Sequence, residues 1–328
     1  MSLRTVTTIA ALSLLAAACG SSPATAETPA ATAAAVSTTA TPSTLSPQTT
    51  TAGGHAGYPI AIEAAKGRIT IPAQPEYIVS LSPTSTEVLF AIGAGGQVVA
   101  VDDQSNYPSE APTTELTGFD PNLEAIAGFG ADLVIVMYDP GDVVAGLEAI
   151  GIPVIVHPAA GTLEEAYEQI RQIGAATGHT REAGDLVDMM SSEIAEIAAA
   201  TDGGGATYYY ELSPDYYSVT STTFVGRLYD MVGLRNIADE ADPDGYGYPQ
   251  LSPEHILAED PGLIFLADTK CCGQDRTAVA ERPGWDVLRA VQGGSIVELD
   301  DDVASRWGPR VVDLFEAIAG AVDDQHDS

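Results

Sequence analysis

Residues 78–87 read Ile78-Val79-Ser80-Leu81-Ser82-Pro83-Thr84-Ser85-Thr86-Glu87, and Ala91-Ile92-Gly93-Ala94 follows shortly behind. The β-branched opening predicts a strand over 77–81, and Thr84-x-x-Glu87 has the form of a capping box opening an apolar helix that ends near the glycines at 93–96. The same alternation continues outward, with strands predicted at 98–101, 133–136 and 154–156 and helices around 122–127 and 142–150. Short apolar strands separated by helices predict a mostly parallel sheet with helices on both faces.

A helical region interrupts the pattern. Thr162-x-x-Glu165 is a second capping box whose helix runs to about Ala176, Gly178 breaks it, and Thr180 is placed to cap a longer run to about Ala200. After the stop at Asp202-Gly203-Gly204-Gly205 the alternation resumes. Strands are predicted at 207–211, 217–219, 263–266 and 296–299, with helices at 224–231, 253–259 behind Ser252, 285–291 and about 309–322. The expected architecture is α/β: two Rossmann-like lobes, 57–158 and 204–323, joined through a connecting helical region at 159–203 by a single long helix, with a tail at 324–328. Ligands of open parallel sheets bind beyond the carboxyl ends of the strands. The loops Ser82-Pro83-Thr84, Asp102–Tyr107, Tyr138-Asp139, Tyr217–Phe224 and Asp300–Trp307 are therefore expected to face a cleft.

Ahead of the lobes stands MSLRTVTTIAALSLLAAA (1–18), followed by Cys19-Gly20. One positive charge, a short apolar run and small residues before a cysteine resemble a bacterial lipoprotein signal peptide, which implies lipidation of Cys19; an ordinary secretory signal cut near Ala18 is the alternative. The apolar run is too short for a comfortable transmembrane span of about 20 residues. Residues 19–56 are dominated by Ser, Thr, Ala, Pro and Gly, with one charge at Glu27. Too little apolar bulk is present there to offset the entropy of ordering, so a disordered tether is expected. An exported domain held to the membrane by its N-terminal lipid follows from both segments.

With 46 acidic against 13 basic residues and a formal charge of −33, nucleic acid is excluded as a partner, as is electrostatic adhesion to anionic lipid. Such acidity also suits a salty habitat. The adjacent Cys271 and Cys272 are the two cysteines left beside Cys19, and a vicinal disulfide, two free thiols or half of a metal site are the readings open to them. The histidines, His55, His157, His179, His255 and His326, fall in no paired metal spacing. No nucleophile elbow or Walker loop is present, and Gly93-x-Gly95-Gly96 follows a helix rather than a strand. No cofactor is expected. A pair of carboxylates close in the fold would still support an exported hydrolase of cell-wall or extracellular polymer.

Aromatic residues stand out by position. Tyr107, Phe119, Tyr138, Tyr217, Tyr246, Tyr248 and Trp307 all fall in predicted loops, where flat rings with polar tips suit a large ligand. Tyr208-Tyr209-Tyr210 falls in a strand and reads as structural.

The run 78–87 with Ala91-Ile92-Gly93-Ala94 closely resembles the opening of substrate-binding proteins of ABC importers for cobalamin and ferric siderophores. Further matches are Asn106-Tyr107-Pro108, Pro121-Asn122-Leu123-Glu124-Ala125-Ile126, Ala131-Asp132-Leu133-Val134, Gly247-Tyr248-Pro249-Gln250-Leu251-Ser252-Pro253-Glu254 and Arg306-Trp307-Gly308-Pro309-Arg310. The resemblance covers about residues 58–322 in the family's order. It implies the class III periplasmic-binding-protein fold, a non-enzymatic role, a small-molecule metal chelate as cargo, and an ABC-importer permease with its ATPase as partners; a ligand-sensing lipoprotein would use the same fold. It also implies that Glu124 and Glu254, one per lobe, dock onto arginines of the permease. Their positions near helix starts also suit stabilisation of a helix N-terminus by negative charge.

For the ligand, the resemblance matches Phe119, Tyr217 and Tyr248 to the aromatic positions of cobalamin binders and Asp302 and Arg306 to polar positions of the far lobe. Gln104 stands where a cobalamin-binding member has tyrosine, and Phe119 and Tyr248 replace tryptophans. Ser82, Pro83, Thr84, Tyr107, Tyr138, Tyr246 and Trp307 complete the expected ligand-binding set. Anionic catecholate siderophores call for several cleft cations, and only Arg306, with Arg227 or Arg310, offers itself. A corrinoid or a weakly charged ferric chelate is the expected cargo.

Overall fold

The computed structural model describes residues Gly57 to His326; the predicted signal peptide, Cys19 and the tether lie outside the described residues. The first lobe opens with a hairpin of β1 (Ile60–Ala64) and β2 (Gly67–Ile71), paired antiparallel with Ile62 opposite Ile69. It continues through β3 (Ile78–Leu81), α1 (Pro83–Ala91), β4 (Val98–Val101), α2 (Leu123–Gly128), β5 (Leu133–Val136), α3 (Val143–Ala149) and β6 (Val154–Val156). The four strands β3 to β6 form one parallel sheet in the order β4-β3-β5-β6. Strands covered on both faces favour apolar side chains, and β3, β5 and β6 are buried throughout, with Ser80 of β3 the polar member, hydrogen-bonded through its hydroxyl. Successive residues then alternate between two cores. Ile78, Leu133, Ile135 and Ile155 face one cluster, while Val79, Leu81, Val134 and Val136 pack with Ile126 and Leu147 in the other.

Two helices follow, α4 (Leu163–Thr177) and α5 (Thr180–Ala200). The corner between them turns at Gly178, whose φ of 83° is open to glycine and strained for other residues. α4 lies on α1 and β1 of the first lobe, whereas α5 reaches the last helix of the second.

The second lobe comprises β7 (Thr207–Glu211), α6 (Phe224–Met231), β8 (Arg235–Asn236), α7 (Pro253–Glu259), β9 (Leu263–Leu266), the short α8 (Thr269–Cys272), α9 (Arg276–Ala280) and α10 (Arg289–Gly293), then β10 (Ile296–Glu298), α11 (Asp301–Ser305) and α12 (Val311–His326). Its sheet is again parallel, in the order β10-β9-β7-β8. Ala183, Val187, Met190 and Ile194 recur at helical spacing along α5 and are buried. They belong to one apolar cluster that runs from the first sheet to Tyr208, Tyr210, Phe265 and Phe315 of the second lobe. α5 is thus the single long helix that joins two α/β lobes.

The structure changes several local readings. Ser82, not Thr84, caps α1: its side chain accepts from the amide of Ser85, and Pro83 takes the first helical position, where its missing N–H is harmless. Glu87 therefore closes no capping box. Thr162 does cap α4, but Glu165 reaches back to the amide of Gly161 rather than to Thr162 itself. His179 stands at the start of α5 without a side-chain cap, so Thr180 does not cap it. Residues 217–219 make no strand; a single antiparallel bridge joins Tyr217 to Gln250. The helix expected over 285–291 is split into a 3₁₀ turn at Trp285–Val287 and α10. Among the described residues no helix is long and apolar enough to cross a membrane.

Candidate functional site

A cavity of about 310 Å³ opens where loops from both sheets meet. The first lobe contributes Leu81, Ser82, Pro83 and Thr84 just beyond β3, Asp102 and Gln104 beyond β4, and Gly118, Phe119, Met137 and Tyr138, the last two following β5; the second lobe contributes Asp302, Ser305, Arg306 and Trp307 from α11 and the turn behind it. The positions after β3, β4 and β5 are carboxyl ends of parallel strands, the edge at which ligands of open parallel sheets bind.

Phe119 and Tyr138 lie with ring centroids 6.2 Å apart and planes tilted by 49°, and Phe119 is two-thirds exposed. The exposed Phe119 ring, paired with the half-buried Tyr138, offers a ready apolar face on one lobe. Trp307 is fixed from the other lobe, its indole N–H donating to the side-chain carbonyl of Gln169 on α4 at 2.8 Å. Gly118 has no space for a side chain: a Cβ there would lie 2.9 Å from a carboxylate oxygen of Asp102 and 3.0 Å from the carbonyl oxygen of Leu81. Asp102 is buried, hydrogen-bonded by the Ser105 hydroxyl at 2.5 Å, and burial pushes its carboxyl above the usual range against that bond.

The polar groups form a lattice across the lobes. Glu87, buried on α1, accepts from Arg306 Nη1 at 2.8 Å and from Arg310 Nη2 at 2.6 Å and Nε at 3.0 Å. Arg306 also donates to the Asn106 side-chain carbonyl at 3.0 Å, the Gln104 backbone carbonyl at 2.9 Å and Asp302 at 2.7 Å. Asp302 in turn accepts from Asn106 Nδ2 at 3.0 Å and Lys270 Nζ at 2.9 Å. Burial alone would raise the Asp302 pKa, but the bonds from Lys270 and Asn106 and the charge of Arg306 outweigh it and hold the carboxyl below its ordinary value. The hydrogen bond from Lys270 to Asp300 chiefly raises the ammonium's pKa. Each buried charge here has partners, which is the condition for keeping it ionised inside a fold.

Nine residues of the expected ligand-binding set, Ser82, Pro83, Thr84, Gln104, Phe119, Tyr138, Asp302, Arg306 and Trp307, line this cavity. Four do not. Tyr107 packs its ring under the Arg310 guanidinium, 4.2 Å from the centroid. Tyr217, Tyr246 and Tyr248 are exposed on a ribbon of the second lobe held by Ser218 N–H to the Pro249 carbonyl and Thr220 N–H to the Gly247 carbonyl, both at 2.9 Å. Arg227 does not line the cavity either, and Arg310 is engaged by Glu87. Leu81, Gly118 and Met137 are not among the residues expected from the sequence, and Asp102 and Ser305 fall there only within loops expected to face the cleft. A signal for Gly118 existed in its placement beside Phe119; Glu87 was hidden by its fit to a helix-capping pattern.

Glu124 and Glu254 are exposed in the first turns of α2 and α7, which Asn122 and Ser252 cap through their side chains. Cys271 and Cys272 close α8 as a vicinal disulfide, and Asp301 accepts from the amides of Lys270 and Cys271, tying that turn to the cleft loop. Among the described residues no group of three or more acidic, histidine or cysteine side chains could hold a metal ion.

The family model described as periplasmic binding protein matches residues 78–303, which contain both sheets and most of the cleft. The chain belongs to the periplasmic binding protein family. This binding protein is 30% identical over 277 residues to the "Uncharacterized ABC transporter substrate-binding lipoprotein YvrC" of Bacillus subtilis, covering 81% of its own length and 86% of the relative's. It is also 30% identical over 273 residues to a "Cobalamin-binding protein" of Halobacterium salinarum, covering 79% and 72%. Among solved structures it superimposes on the periplasmic heme-binding protein RhuT of Roseiflexus sp. RS-1 with a TM-score of 0.66 at 25% identity, covering 76% of this chain and 99% of that one.

Proposed function

We propose that this chain is the lipid-anchored, extracytoplasmic substrate-binding component of an ABC importer and that it holds a metal chelate, a corrinoid or a ferric siderophore, between its lobes. The observation that carries the reading is the cavity at the carboxyl ends of the first sheet, walled by Phe119 and Tyr138 from one lobe and Trp307 from the other. Its volume, about 310 Å³, lies at the low end of small-molecule pockets, about 300–1,000 Å³. The names of the lipoprotein and cobalamin-binding relatives agree with this cargo and with an anchor at Cys19. The protein supplies affinity and closure; the importer supplies ATP hydrolysis.

Titration of the purified protein with cyanocobalamin, ferric siderophores and haem, followed by tryptophan fluorescence, tests the cargo. Quenching that saturates is expected for at least one, and no response to any of them overturns it. Glu124→Ala combined with Glu254→Ala is expected to leave ligand binding intact and to impair uptake by cells, because two separated carboxylates set the register on a two-fold partner. Unchanged uptake removes the docking role.

A further inference from the structure

We infer that the cleft selects a chelate without net negative charge, an inference that rests on the proposed binding role and narrows its cargo. Arg306 is the one cation among the residues lining the cavity, and its four terminal N–H groups are engaged by the protein. Nη1 serves Glu87 and Asn106, and Nη2 serves the Gln104 carbonyl and Asp302. The guanidinium is 8% exposed. An anionic group drawn to these terminal N–H groups competes with acceptors already in place, two of them carboxylates.

The surrounding charges point the same way. Lys270, Arg306 and Arg310 are matched by Asp300, Asp302 and Glu87. Asp102, on the cavity wall, has the Ser105 hydroxyl as its side-chain partner and no ion pair, and Asp301 beside α8 accepts from amides and the Thr269 hydroxyl. The cavity wall thus holds two carboxylates, Asp102 and Asp302, against the one guanidinium of Arg306, inside a chain of net charge −33. Like charge facing a ligand suppresses the wrong partner even when apolar contacts are good. The rings of Phe119, Tyr138 and Trp307 remain available to an uncharged macrocycle, and the carboxylates to its amide donors or to an ammonium.

The test compares full-length protein against four probes: neutral cyanocobalamin, cationic ferrioxamine B, trianionic ferric enterobactin and haemin with its propionates. Either of the first two is expected to bind at least about tenfold more tightly than either anion. Asp302→Asn, which removes one carboxylate at the cavity rim, is expected to narrow that ratio by about threefold or more through tighter binding of ferric enterobactin. Equal or tighter binding of the anions to the parent protein, or an unchanged ratio in a folded Asp302→Asn, overturns the charge rule while leaving the binding role in place. Binding of none of the four overturns both.

Discussion

Among the described residues two glutamates are buried beside arginine, and their surroundings differ in stoichiometry. Glu87 lies between the lobes and is gripped by Arg306 and Arg310, two cations on one carboxylate, and Asp302 pairs with Arg306 as well. Glu211, at the end of β7, is held by Arg282 alone, whose two terminal nitrogens reach its two oxygens at 2.6 and 2.5 Å while the guanidinium sits over Trp285 and Tyr216. Beside it lies Asp268, fully buried, which makes two carboxylates for one cation. Burial, and then the charge of Glu211, push the Asp268 carboxyl up to about 7. The comparison teaches what a carboxylate meets when burial outruns the supply of cations: its pKa rises.

The comparison can be broken most forcefully at Glu87. Glu87→Ala leaves two guanidiniums facing each other in the seam, and breaking a buried pair by removing one partner costs about 3–5 kcal/mol. Chemical denaturation should report a loss of that size, and small-angle scattering should show the lobes drawing apart. A variant as stable as the parent would mean that the seam carries little of the interlobe energy.

The second cluster is sharpened by pH. The folded Asp268 carboxyl titrates near 7, above its ordinary 3.8, so between those values the folded chain holds a proton that the unfolded chain has released. Its stabilising contribution is fully present below the ordinary value and is lost as pH rises through about 7. Asp268→Asn fixes the neutral form, and the loss of melting temperature between pH 5 and pH 8 is expected to shrink by about half or more relative to the parent. An identical loss in both proteins would remove the assignment.

The smallest effect is expected at the exposed edge of the first cluster. Lys270 bridges Asp300 and Asp302 with half of its side chain in solvent, so Lys270→Met should cost no more than about 1 kcal/mol and less at high salt. A loss comparable to that of Glu87→Ala would show that the rim and the buried seam act as one network.

Most of the framework was legible in the chain. The apolar runs at 78–81, 133–136, 207–211 and 263–266 become strands because each is flanked by glycine, proline or cap residues and is too short for a helix. Gly178 marked the corner ahead of α5 because its backbone takes a conformation that side chains resist. Less legible were the short elements. The hairpin β1–β2 and the turns α8 and α9 depend on contacts with other parts of the chain rather than on their own periodicity. Residues 217–219, read as a strand from composition, instead pair once with Gln250 beside a long loop.

At the site, nine of the expected residues converge because they follow strand ends, and strand ends of a parallel sheet share one edge. Tyr107, Tyr217, Tyr246 and Tyr248 were also read from loops, and loop position alone does not say which way a ring turns. The sequence leaves Arg306 open to either a ligand or an ion pair, because its acceptor, Glu87, lies 219 residues earlier and fits a helix-capping pattern.

The sequence by itself determined the alternation of strand and helix, the division into two parallel sheets and the acidic, aromatic-bearing character of their loops, because these follow from local periodicity and composition. Only the tertiary structure decided which charges neutralise one another. Ion pairing in a low-dielectric seam depends on distances between residues far apart in the chain, which set the pairing of Arg306, and burial beside Glu211 sets the raised pKa of Asp268.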